Sequence, residues 1–164
     1  MGASAQQVRP SILVIGASGV LAPAVEALRL DARVTGISLT RPAPDGVESI
    51  LVNASDPVAL GSALAGRSWS AAVVYAPAVT RDTLAIIAAA SSRRAVVVRT
   101  SDAVDPAHGA VDVPADTLQL GWAVEPDGRR RWHSAEEISA AALEVLSDGV
   151  GRVLGAIRPW EERP

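Results

Sequence analysis

The sequence holds no cysteine and no phenylalanine, and each of its fifteen basic residues is an arginine. Without cysteine there is no disulfide, no thiolate nucleophile and no sulfur-based metal site, and two scattered histidines leave little for a transition metal. Without lysine there is no Schiff base, no phosphate-gripping ammonium and nothing of that kind to lower a neighbour's pKa. Aromatics make up 3% of the chain against 49% hydrophobic residues, so Ala, Val, Leu and Ile must build the core. A formal charge of −3 supplies no positive field to draw in nucleic acid or an anionic membrane surface. No apolar run approaches the roughly 20 residues of a membrane span, and the opening MGASAQQVRP lacks the apolar centre of a signal peptide. The expectation is a cytoplasmic protein with no metal and with neither nucleic acid nor membrane as partner.

What is present is a rhythm of strand and helix. A length of 164 residues fits one domain, read here as residues 11–164 behind a flexible leader of residues 1–10. SILVIG reads as a strand buried on both faces, and GVLAPAVEALRL as the helix after it, with Pro23 in the first turn. RVTGISLTR and VESILVNASD are the second and third strands, and Asp56 caps a short helix opened by Pro57. SAAVVYAPA, RDTLAIIAAASS and RAVVVRTS give strand, helix and strand. Asp102 to Thr117 has no periodicity and reads as a loop or lid. LQLGWAVE is a sixth strand, PDGRRRW an exposed turn, and HSAEEISAAALEVLSDG a helix with a Ser134/Glu137 capping box. GRVLGAIRPWEERP closes as a final strand and a charged tail. Such alternation predicts an α/β fold, doubly wound, with a mostly parallel Rossmann-type sheet and helices on both faces.

Gly16, Gly19 and Ala22 form G-x-x-G-x-x-A between the first strand and its helix. Glycines at this junction allow a tight turn and close approach of a ligand to the backbone, and a helix N-terminus suits a pyrophosphate. Gly16, Ala17, Ser18, Gly19, Val20 and Leu21 are therefore candidate cofactor-binding residues. A nucleoside-triphosphate P-loop is excluded, because its lysine is missing. Some twenty residues beyond the glycines the chain carries Ser38, Thr40 and Arg41 instead of the acid that holds a ribose diol. This favours NADP over NAD, with Thr40 and Arg41 as candidates for the 2′-phosphate.

These segments resemble the short-chain dehydrogenase/reductase superfamily over most of the chain. VIGASGVLA is similar to its glycine-rich turn, LVNASD to the segment that meets adenine, and VVYAPA to the segment after the fourth strand. The resemblance implies that Asn53, Ala54 and Ser55 sit near adenine and that Ala76 and Pro77 flank a ribose. RRRWHSAEEIS is similar to a segment of small bacterial proteins labelled short-chain dehydrogenase, whose role the resemblance does not supply.

The superfamily's usual chemistry uses a tyrosine acid aided by a lysine four residues on and a serine after the fifth strand. Ser101 fits the serine. The only tyrosine, Tyr75, ends the fourth strand, and a tyrosine with no lysine beside it donates protons poorly at neutral pH. Ser101 and Tyr75 are the catalytic candidates that remain, with Tyr75 read as packing beside the ligand. His108 and His133 read as surface residues, and Trp122 and Trp132 as cover for the core or a subunit contact, which leaves a homo-oligomer open. Three readings stand: an NADP-dependent oxidoreductase that acts on a small-molecule substrate without the usual acid, a non-catalytic NADP(H) sensor, and an interaction module with a vestigial turn.

Overall fold

The computed structural model describes residues 8–164, so most of the expected leader lies outside the described residues. Strands β1 (Ser11–Ile15), β2 (Arg33–Ser38), β3 (Glu48–Leu51), β4 (Trp69–Tyr75), β5 (Ser91–Arg99), β6 (Thr117–Leu120) and β9 (Arg152–Leu154) form one sheet in the order β3-β2-β1-β4-β5-β6-β9. Every neighbouring pair in it is parallel. Strands β7 (Trp122–Val124) and β8 (Arg130–Trp132) form a separate antiparallel hairpin. The helices are α1 (Ala22–Leu28), α2 (Pro57–Leu64), α3 (Arg81–Ala89) and α4 (Ala135–Asp148). This is the doubly wound Rossmann-type α/β sheet.

The continuous apolar runs follow from burial on both faces. Successive side chains of a strand point to opposite sides. Ile12 and Val14 enter a core with Val25 of α1 and Ala142 and Val145 of α4, whereas Leu13 and Ile15 enter a second core with Leu60 of α2 and Ile87 of α3. Helix starts are set locally. Asp56 accepts from the Val58 and Ala59 amides, and Ser134 and Glu137 form the expected capping box. A second capping box, Thr80 with Thr83, opens α3 and went unread in the sequence.

Several boundaries differ from expectation. Helix α1 opens at Ala22 rather than Gly19, and α3 ends at Ala89, so Ser91 and Ser92, read as helix, begin β5 and pair it with β4. Strand β2 stops at Ser38 because its partner β3 stops at Leu51, with which Ser38 is in register, so Thr40 and Arg41 lie beyond the sheet. LQLGWAVE is two strands, broken at Gly121, where the backbone of Ala156 comes too close for any side chain. PDGRRRW contributes a turn and then β8. The loop from Asp102 to Thr117 contains single helical turns at Ser101–Val104 and Pro106–His108. Among the described residues no helix is long and apolar enough to cross a membrane.

Candidate functional site

In an open parallel sheet, ligands bind beyond the carboxyl ends of the strands where the strand order reverses, here between β1 and β4. The turn after β1 stands at that point. Gly16 has φ +93°, and a Cβ there would lie 3.1 Å from Tyr75 Cβ, so both backbone and space require glycine. The Gly16 and Ala17 amides donate to the Ile37 carbonyl at 2.9 and 3.3 Å, which ties the turn to β2. Gly19 donates to Gly16 and Ala22 to Gly19. The amides of Ser18, Val20 and Leu21 are left without a protein acceptor among the described residues. Of these three residues, Ser18 and Val20 line the cleft above the turn, whereas Leu21 is buried.

Above the turn lies a cleft of about 360 Å³. Gly16, Ser18, Gly19, Val20, Asn53, Ala54, Ser55 and Pro77 line it, so the ends of the first, third and fourth strands meet around one cleft. Ala17 and Leu21 are buried and pack beneath the turn, which limits any ligand contact to their backbone. Thr40 and Arg41 are exposed and do not line the cleft, whose wall there is made by Ser38 and Leu39, and Ala76 does not line it although Pro77 and Ala78 do. Ser38 is 6% exposed, and its Oγ has no hydrogen-bond partner. A buried unpartnered hydroxyl costs free energy that a ligand hydroxyl or phosphate would recover. Asn53 Oδ1 accepts from the amide and hydroxyl of Ser55 at 3.0 and 2.6 Å, leaving its NH₂ group for a ligand.

A second cleft of about 290 Å³ adjoins the first and shares Val20 and Tyr75 with it. Thr100, Ser101, Trp132, His133 and Ile138 line the remainder. Ser101 and Tyr75 are therefore brought to one cavity, whereas His108 stays exposed in its loop. His133 was expected at the surface, yet its side chain is 5% exposed. Its Nδ1 lies 3.3 Å from Glu137 Oε2 and its Nε2 3.1 Å from the Leu154 carbonyl oxygen. The four-residue spacing of His133 and Glu137 was visible in the sequence, but only half of Glu137's work, the helix cap, was read from it.

Glu137 gathers charge. Arg131 Nη1 donates to it at 2.6 Å and the Ser134 amide at 3.2 Å. The Arg131 guanidinium, with that amide, lowers the Glu137 carboxyl from its usual 4.5 to about 2. A folded-state value below the unfolded one means that the stability this carboxylate contributes is whole above pH 4.5 and is lost as the pH falls through about 2. Glu137→Gln should accordingly melt lower than the parent at neutral pH, with the two curves converging on acidification. Melting temperature against pH checks this, and a gap that stays constant down to about pH 2 would refute it.

A groove of about 360 Å³ also lies at the opposite ends of the strands, between α1 and α4, with Ile12, Leu28, Leu143 and Leu146 in its wall. It has no glycine turn and no orphaned polar group, so it lacks the marks of a nucleotide site.

Strand order, glycine turn and paired clefts together define a Rossmann-type α/β protein. Solved structures share this fold. An oxidoreductase of the short chain dehydrogenase/reductase family from Burkholderia thailandensis matches with a TM-score of 0.59 at 14% identity, over 91% of each chain. A Streptococcus pneumoniae protein described provisionally as an NADH-flavin reductase matches with a TM-score of 0.54 at 15% identity, over 85% of this chain and 94% of its own. A Burkholderia pseudomallei protein described provisionally as exported matches with a TM-score of 0.55 at 19% identity, over 88% of this chain and 97% of its own. At these identities the likeness is one of fold. No protein-family model matches the chain, and no curated protein does.

Proposed function

We propose that this chain is a nicotinamide-dinucleotide-dependent oxidoreductase that prefers NADP(H) and works without the usual Tyr/Lys acid. The observation that carries this reading is the pair of clefts meeting at Val20 and Tyr75 beside the free amides of Ser18, Val20 and Leu21. The residues fit the cofactor: the glycine turn suits the diphosphate, Asn53 and Ser55 the base, and the orphaned Ser38 Oγ the ribose. Ser38 carries no charge to repel a 2′-phosphate, and Arg41, three residues on and exposed, supplies a positive charge to attract one. When bound, the cofactor supplies hydride. The chain's part is to orient it and to exclude water with Trp132, Ile138 and Leu120.

The acceptor class follows from what the second cleft cannot do. Reducing an isolated carbonyl leaves an alkoxide that needs a proton at once. Both nitrogens of His133 are engaged, and Tyr75 has no lysine. An acceptor that spreads the incoming charge over a conjugated ring, of quinone or flavin type, can take its proton later from solvent. The same shortage of a free acid supports a second reading, a non-catalytic NADP(H) sensor in the cytoplasm. Turnover of quinones or flavins separates the two.

Thermal melting tests the binding itself. A ligand at a hundred times its Kd stabilises the folded state by about 2.7 kcal/mol, which is several degrees in a chain of this size. NADPH should raise the melting temperature more than NADH, and Arg41→Asp should erase that preference. No shift with either ligand at millimolar concentration would overturn the reading.

A further inference from the structure

The segment Arg131-Trp132-His133-Ser134-x-x-Glu137 remains unexplained by dinucleotide binding alone. The structure joins its polar members into one assembly. The Glu137 carboxylate takes bonds from Arg131 and the Ser134 amide and faces His133 Nδ1, while Arg131 also pairs with Glu125. His133 Nε2 faces the Leu154 carbonyl. A carboxylate and a carbonyl can only accept hydrogen bonds. A neutral imidazole, with one N–H, satisfies one of them; the ring protonated on both nitrogens satisfies both, and its bond to the carboxylate is charge-assisted.

The order of the groups gives this charge a direction. His133 lines the second cleft and Glu137 does not, so the ring stands between the carboxylate and the cavity. From α4 the ring meets Glu137, whose carboxylate Arg131 of β8 also holds, from β9 the backbone of Leu154 and Gly155, and Tyr75 at the end of β4 lines the same cleft. Glu137 is held as carboxylate down to about pH 2, and Arg131 is pushed above its ordinary value by Glu137 and Glu125. Both keep their charge through the neutral range, so the acceptor facing Nδ1 stays a carboxylate there.

We propose that His133, held cationic by Glu137 and the Leu154 carbonyl, makes the second cleft discriminate the redox state of the dinucleotide. The uncharged dihydronicotinamide is favoured over the oxidised ring, which carries a positive charge. The inference rests on the dinucleotide reading above. It serves a reductase, by expelling the oxidised product, and equally a sensor of the ratio of the two forms.

Calorimetric titration of the full chain with NADPH and with NADP⁺, from about pH 5.5 to about pH 8.5, tests it across the range in which histidine titrates. The affinity ratio should be on the order of tenfold at the acid end, where like charges would share one cleft, and should approach one at the alkaline end. Titration of the shared 2′-phosphate cancels in that ratio. His133→Gln should give a ratio near one at every pH, and Glu137→Gln should move the loss of preference to lower pH. A ratio independent of pH in the parent, or surviving in His133→Gln, overturns the inference while leaving dinucleotide binding intact. Binding of neither form overturns both. Nitrogen NMR of the free protein supplies a second readout: the ring should show two protonated nitrogens in weak acid, with His108→Gln assigning the signal, and an unprotonated Nδ1 there would refute the proposal.

Discussion

A Gly19→Asp variant is expected to fold as stably as the parent and to bind NADPH about a hundredfold more weakly. Gly19 is exposed, its φ lies outside the left-handed region, and the nearest atom to an added Cβ is the Gly16 carbonyl oxygen at 3.8 Å. A side chain therefore has room and pays no backbone strain. An acid just ahead of α1 is also favourable to the helix dipole, so the melting temperature should hold or rise slightly. The carboxylate would compete for the free amides of Ser18, Val20 and Leu21 and would stand beside the diphosphate those amides are held to bind. Two like charges about 4 Å apart near a protein surface repel by about 4 kcal/mol before screening. A hundredfold loss corresponds to about 2.7 kcal/mol and falls within that range. Gly19→Ala, which adds bulk without charge, should lose far less. Melting curves and calorimetric titration decide the matter, and undiminished NADPH affinity in Gly19→Asp would move the diphosphate away from this turn.

The legible parts of the molecule are those whose cause is local. SILVIG and SAAVVY are apolar without a break because both faces of β1 and β4 are covered, and no distant residue is needed to see it. Asp56 and Ser134 announce their helices within three residues. Two walls of the first cleft, at Gly16 and at Pro77, follow closely on the apolar strands β1 and β4, whereas the Asn53 wall follows β3, which is half polar and mostly exposed. What the sequence concealed depends on pairing across the chain. The end of β2 is decided by where β3 ends, so the polar residue that reaches the cleft is Ser38 rather than Thr40 or Arg41. The burial of His133 requires the Leu154 carbonyl, twenty-one residues on, and the break at Gly121 requires Ala156. Both partners arrive only when β9 docks beside β6.

Gly121→Ala is expected to cost about 3 kcal/mol, at the upper end for a single overpacked methyl group. The new Cβ would stand 1.9 Å from the Ala156 carbonyl oxygen and 2.6 Å from its carbon. Those are backbone atoms, with no rotamer by which to escape, so β9 and the tail beyond it must shift. The shift strains the bonds from Gly121 to Leu154 and from Trp122 to Ala156, each 2.9 Å. It also loosens Trp122, which is fully buried and meets the Trp160 ring edge-on at 6.3 Å between centroids. For a chain of this size the melting temperature should fall by about 6 to 12 °C. The same movement draws the Leu154 carbonyl away from His133, so the molecules that remain folded should lose the preference for NADPH over NADP⁺ while the first cleft still binds both. Gly19→Asp should do the converse, keeping the fold and losing the ligand. Stability and redox preference meet at β9 because one strand both closes the sheet and supplies the acceptor that keeps the imidazole charged; a parent-like melting curve for Gly121→Ala would break that link.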